Sequence, residues 1–155
     1  MDISRTKHSD DHIIHLAQRR IKGGYGNQRI TMDDRGFREM LEAEGLPVFE
    51  GTNGHTLSHQ FAVMAAPYGG GQQASKQLRA SGFLACGIGL PVDPVEGDMN
   101  GLRIGTPELV RWGMSKDDAP RLASLIARAL NNENVAQEVF GWRGGFDRVH
   151  FVHST

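Results

Sequence analysis

Apolar positions recur at helical spacing in two clear stretches. From Met32 to Glu44, Phe37, Met40 and Leu41 make an apolar stripe, Thr31 followed by Asp34 has the form of a cap, and Gly45 stops the run. From Lys116 to Leu130 the stripe is Ala119, Leu122, Ile126 and Leu130 with Ala123 and Ala127, and Ser115 is placed to cap it. Strict alternation marks the strands. Leu57, His59, Phe61 and Val63 share one face of a strand over Thr56 to Met64, and the turn Gly51-Thr52-Asn53-Gly54 joins it to a short strand over Pro47 to Glu50, so the two should run antiparallel. Gly69-Gly70-Gly71 introduces a helix over Gln72 to Ala80; Phe83 to Leu90 is an apolar strand closed by Pro91, and Asp93-Pro94 opens a loop. That loop leads to Gly101-Leu102-Arg103-Ile104-Gly105, a short strand followed by Thr106 as N-cap, Pro107 as the first helical residue and a short helix to Trp112. At the ends, Ile13, Leu16 and Ala17 suggest a helix over His12 to Arg20. Val135, Val139 and Phe140 suggest a last helix, before a tail that reads equally as an edge strand or an unordered end. The pattern predicts an α+β fold with a small, mostly antiparallel sheet covered by helices.

Composition narrows the class. In 155 residues with 23% charged side chains and a formal net charge of -1, neither a disordered tail nor an electrostatic nucleic-acid binder is indicated. One cysteine, Cys86, makes an internal disulfide impossible, and with no apolar run of membrane-spanning length the expectation is a cytoplasmic protein without a membrane partner. Twenty glycines imply many turns.

Candidate chemistry concentrates on Arg103. Leu102 and Ile104 point to one face of their strand and Arg103 to the other, between glycines that let a ligand approach the backbone, and a guanidinium fork matches a carboxylate with two parallel hydrogen bonds. Cys86 reads as a small buried thiol, since nothing adjacent in sequence supplies a base or a positive partner. His8, Asp11, His12 and His15 have spacings that a metal site would use, but read as a solvated polar face for want of a second ligand group. The amides after Gly69-Gly70-Gly71 lack the full phosphate-loop pattern, and Trp112 reads as a packing residue between helices.

The run from Gly101 to Pro107, continued by Glu108-Leu109-Val110-Arg111-Trp112-Gly113-Met114, resembles the S-G-[IL]-R-x-G-T-P-A-L-x-x-R-G signature in the C-terminal domain of serine hydroxymethyltransferases and their relatives. Tyr25 and Gln28 resemble the family's Y-x-x-Q-x-x-x-N-A segment. Gly51-Thr52 resembles the start of G-G-T-x-x-H, with His55 or His59 for its histidine, and Pro91 with Asp93-Pro94 resembles V-P-x-D-P. The resemblance covers about residues 25 to 130. It implies the small domain of a fold-type I pyridoxal-phosphate enzyme, in which Arg103 binds the α-carboxylate of the amino-acid substrate.

The departures carry further expectations. The family's cofactor lysine, in a T-H-K-T context, has no counterpart here: Lys7, Lys22, Lys76 and Lys116 lie in other contexts. The chain is therefore expected to begin downstream of the cofactor machinery, to form no covalent bond to pyridoxal phosphate, to bear no catalytic or cofactor-binding residue and to be inactive alone, with a large cofactor-binding domain or chain as partner in a homo-oligomer. Residues 1–24 would be a link from that large domain, 25–131 the small domain and 132–155 a tail. Cys86-Gly87-Ile88 replaces the family's N-K-N, where asparagine meets folate, which puts tetrahydrofolate in question. The resemblance thus implies glycine/serine one-carbon transfer. The alternatives are a folate-independent aldolase or transaldolase of β-hydroxy amino acids and a non-catalytic interaction module.

Overall fold

The computed structural model describes residues 14–15, 34–52 and 60–150. Its centre is a three-stranded antiparallel sheet of β2 (Gln60–Met64), β4 (Cys86–Ile88) and β5 (Gly101–Gly105), with β5 in the middle. β5 pairs Phe61 with Ile104 and Val63 with Leu102 on one side, and Gly87 with Leu102 on the other. Phe61, Val63, Leu102 and Ile104 are buried, and helices close over their face. This is the α+β architecture predicted from the pattern.

The helices are α1 (Asp34–Ala43), α2 (Gly71–Ala80), α3 (Pro107–Arg111), α4 (Ala119–Leu130) and α5 (Ala136–Arg143). In α1, Phe37 and Leu41 stand one turn apart in the core, and Phe37 meets Phe61 of β2 edge to face at 5.5 Å. Met40, expected on the same stripe, is 38% exposed. It lies about 60° round the helix from Phe37, at the margin of the buried face. Gly45, at φ +83°, ends the helix as expected. The predicted stripe of α4 is buried throughout, together with Leu125 and Ala129, and α4 packs on α1 and α2. Before it, Ser115 and Asp118 form a reciprocal cap: Asp117 N donates to Ser115 Oγ at 3.3 Å and Ser115 N donates to Asp118 Oδ2 at 2.8 Å. The turn they cap, Lys116–Asp118, is 3₁₀. α5 carries Val135 and Val139 into the common core and leaves Phe140 exposed.

Several expectations need correction. Ile14–His15 forms a strand, β1, paired in parallel with β3 (Phe83–Leu84), so the helix expected over His12–Arg20 is not present at these two residues, and the rest of that segment lies outside the described residues. The open edge of β3 offers backbone partners that the local pattern cannot reveal. The strand expected over Phe83–Leu90 is split at Ala85, whose carbonyl accepts from Ser75 Oγ of α2 at 2.8 Å; the two halves serve different sheets. Pro47–Glu50 contributes one antiparallel bridge, Val48 to Val63, rather than a strand. Pro47 has no amide to extend the ladder. Thr106 precedes α3 but makes no side-chain cap hydrogen bond, because its backbone is already helical (φ -102°, ψ -15°) rather than extended. The segments of Thr31, of Tyr25 and Gln28 and of His55 and His59 lie outside the described residues. No described helix is long and apolar enough to cross a membrane.

Candidate functional site: a guanidinium on the open face of the sheet

Arg103 sits at the middle of the central strand, and alternation turns it away from the core that Leu102 and Ile104 enter. Its cross-strand neighbours are Ala62 and Cys86, and Gly101 and Gly105 flank it along its own strand on the same face. All four are small, and Arg103 itself is half-buried among them. Its Nε is buried without a hydrogen-bond partner, and Arg103 makes no ion pair with any described residue. A buried donor without an acceptor is costly.

Three consecutive residues that local pattern does not single out, Asp98, Met99 and Asn100, tie down the loop that leads into β5. Asp98 receives the amides of Gln72 at 2.8 Å and Gln73 at 3.0 Å, the first turn of α2, and also that of Met99. Met99 O accepts from Gly71 N at 2.6 Å. Asn100, 8% exposed, uses its side chain to bind Leu90 N, Leu90 O, Val92 O and Asp93 O. The only local signals were an acidic residue and an Asn-Gly pair between loop and strand; apart from Met99, the partners of these two side chains are 7 to 26 residues away. The amides of α2 are therefore closed by the chain's own carboxylate, and an external phosphate there would meet a like charge.

Asp98's carboxyl is held below the usual carboxylate range, first by the Gln72 amide and with help from those of Gln73 and Met99 and the charge of Lys76, against a desolvation that acts the other way. A depressed folded-state value contributes stability that is complete above the unfolded value of about 3.9 and is lost as pH falls through the lowered one. The acid limb of a melting-temperature profile should consequently be shallower in Asp98→Ala than in the parent chain, with the two curves converging at the lowest pH.

Trp112 is half-buried: Arg143 lies over its ring at 4.6 Å and its Nε1 donates to Glu108 at 3.1 Å. Cys86 is half-buried and free, and the fold gives it a cationic cross-strand neighbour, Arg103, that its local sequence did not show. Among the described residues no group of His, Cys, Asp and Glu is arranged to hold a metal, and the side chains of His8, Asp11, His12 and His15 lie outside them.

No protein-family model matches this chain. It is 62% identical over 101 residues to an alpha-methylserine aldolase of Variovorax paradoxus, covering 64% of this chain and 23% of that protein. It is 30% identical over 141 residues to a serine hydroxymethyltransferase of Pyrobaculum islandicum, covering 89% of this chain and 33% of that protein. The L-threonine transaldolase of Pseudomonas fluorescens, solved in its internal aldimine state, superposes with a TM-score of 0.63 at 26% identity over 76% of this chain and 27% of that one. The chain belongs to the serine hydroxymethyltransferase-like family. It spans 23% to 33% of the length of these relatives. Its described residues do not fit the family's cofactor: Lys76 and Lys116 are exposed, and the amides of the first turn of α2 that would suit a phosphate are occupied by Asp98.

Proposed function

We propose that this chain supplies the substrate-carboxylate site of a serine hydroxymethyltransferase-like enzyme, with Arg103 as the residue that grips the α-carboxylate. The carrying observation is the buried, unpartnered Nε of Arg103 in a bed of small residues. Pyridoxal phosphate would be held by a large domain or chain and not by the residues described here, so this chain alone would turn over nothing. The proposed reaction is aldol cleavage of a β-hydroxy amino acid whose α-carbon bears a methyl group: the Cα–Cβ bond of α-methylserine breaks, the β-hydroxyl gives up its proton to leave formaldehyde, and Cα gains a proton to become alanine. Support for this substrate comes from the relative of that name, whose identity is about twice that of the hydroxymethyltransferase. Arg103 would fix the carboxylate plane, and with it the direction of the bond that breaks.

Glycine/serine one-carbon transfer is the second reading, favoured by the longer alignment to the hydroxymethyltransferase. Formaldehyde release from α-methylserine by the cofactor-loaded enzyme that carries this segment, with and without tetrahydrofolate, separates the readings. Equal release in both conditions is expected, with none from the 155-residue chain mixed with pyridoxal phosphate. A strict requirement for folate would overturn the aldolase assignment.

A further inference from the structure

Beside Arg103 the sheet has a second side chain on its open face that belongs to no strand. A methyl group built on Gly101 would lie 2.6 Å from both Cγ and Cδ1 of Leu90, so the Leu90 side chain rests directly over that glycine. Gly101 and Arg103 are two residues apart on one strand and share a face, at a separation of about 6.8 Å. Leu90 and Arg103 therefore stand on the same face of the sheet, over neighbouring positions of one strand. It is half-buried in a loop without regular structure, yet its placement is tightly specified. Asn100 accepts from Leu90 N at 2.7 Å and donates to Leu90 O at 2.9 Å, and the same amide group also reaches Val92 O and Asp93 O. Asn100 is itself anchored, since its carbonyl accepts from Ala65 N at 2.8 Å beyond the end of β2. A nearly buried amide satisfied on both its oxygen and its nitrogen is costly to displace.

We propose that Leu90 is a wall of the carboxylate site that determines which α-substituents it accepts, and that Asn100 is the positioning residue that holds the wall in place. The inference rests on the carboxylate reading of Arg103. Glycine at position 101 is part of the device, because any larger residue there would push Leu90 off the sheet. Removing bulk from Leu90 widens the site on one side only, so the effect falls on the α-substituent and not on the carboxylate.

The test compares kcat/KM for α-ethylserine and α-methylserine in the cofactor-loaded enzyme that carries this segment. Leu90→Ala is expected to raise the ratio about tenfold, the discrimination that one methylene provides in an apolar pocket. Leu90→Phe should lower it, which keeps the proposal testable should the alanine variant loosen the loop. Asn100→Asp retains an acceptor for Leu90 N but loses the donors to Leu90 O, Val92 O and Asp93 O; it should move the ratio in the same direction as Leu90→Ala and add nothing when combined with it. A ratio unchanged in both Leu90 variants would overturn the proposal, and an Asn100→Asp enzyme that loses both substrates equally would reduce that residue to a structural one. Arg103→Lys serves as the control: if it leaves KM unchanged for both substrates, the carboxylate reading itself has failed.

Discussion

Arg103→Ala should raise KM for the amino-acid substrate by about 10²- to 10⁴-fold while leaving the fold intact. A guanidinium and a carboxylate make two parallel charge-assisted hydrogen bonds, each worth about 1.5–3 kcal/mol, and each 1.4 kcal/mol is a factor of ten in affinity. The effect belongs in KM because the carboxylate keeps its charge throughout cleavage of Cα–Cβ and is held alike in ground and transition states. Some loss in kcat would follow as well, to the extent that a poorly held substrate rotates away from the productive bond direction. Arg103→Lys should recover only part of the loss, since an ammonium lacks the planar fork. The core should not notice either change: Arg103 contributes nothing to the packing of Leu102 and Ile104, and its removal takes away a buried donor that has no partner in the free chain. A melting temperature at the parent value together with an unchanged KM would remove Arg103 from the site.

The same strand shows which parts of this protein can be read locally. Alternation alone separated Arg103 from Leu102 and Ile104, and the spacing of Leu122, Ile126 and Leu130 located α4 and its buried face, because both depend on the geometry of one element. What escaped depends on distant partners. Nothing in Phe83 to Leu90 announces that Ser75 will take the Ala85 carbonyl and divide the strand between two sheets. Nothing around Ile14 announces the edge of Phe83. Arg103 was legible as a candidate, whereas its surroundings were not: Ala62 and Cys86 come beside it only through register, and Leu90 is held over Gly101 with the help of Asn100. Cys86 was judged by its chain neighbours and proved to have a guanidinium across the strand.

The largest stability effect should come from a residue with no side chain. A methyl group at Gly71 would overlap the Gly101 carbonyl oxygen and approach Gly87 Cα to 3.0 Å. All three glycines meet where the first turn of α2 lies on β4 and β5, and the Gly71 amide donates to Met99 O in the same place. Because the obstacle is backbone, no rotamer change relieves it; α2 must lift from the sheet or β5 must shift. Overpacking of this kind costs about 1–3 kcal/mol in ordinary cores, and Gly71→Ala should exceed about 3 kcal/mol in urea unfolding, since here it opposes helix against strand. Gly89→Ala is the matched control, with nothing within 4 Å of the added carbon, and should change stability by less than about 0.5 kcal/mol. The functional consequence follows from the address of the clash. Gly101 carries both the carbonyl that Gly71 would strike and the face on which Leu90 rests, and Arg103 is two residues further along the same strand. Gly71→Ala should therefore weaken carboxylate binding in whatever fraction remains folded, whereas an equally destabilising core truncation such as Leu125→Ala on α4 should lower the folded fraction and leave the KM of the survivors unchanged.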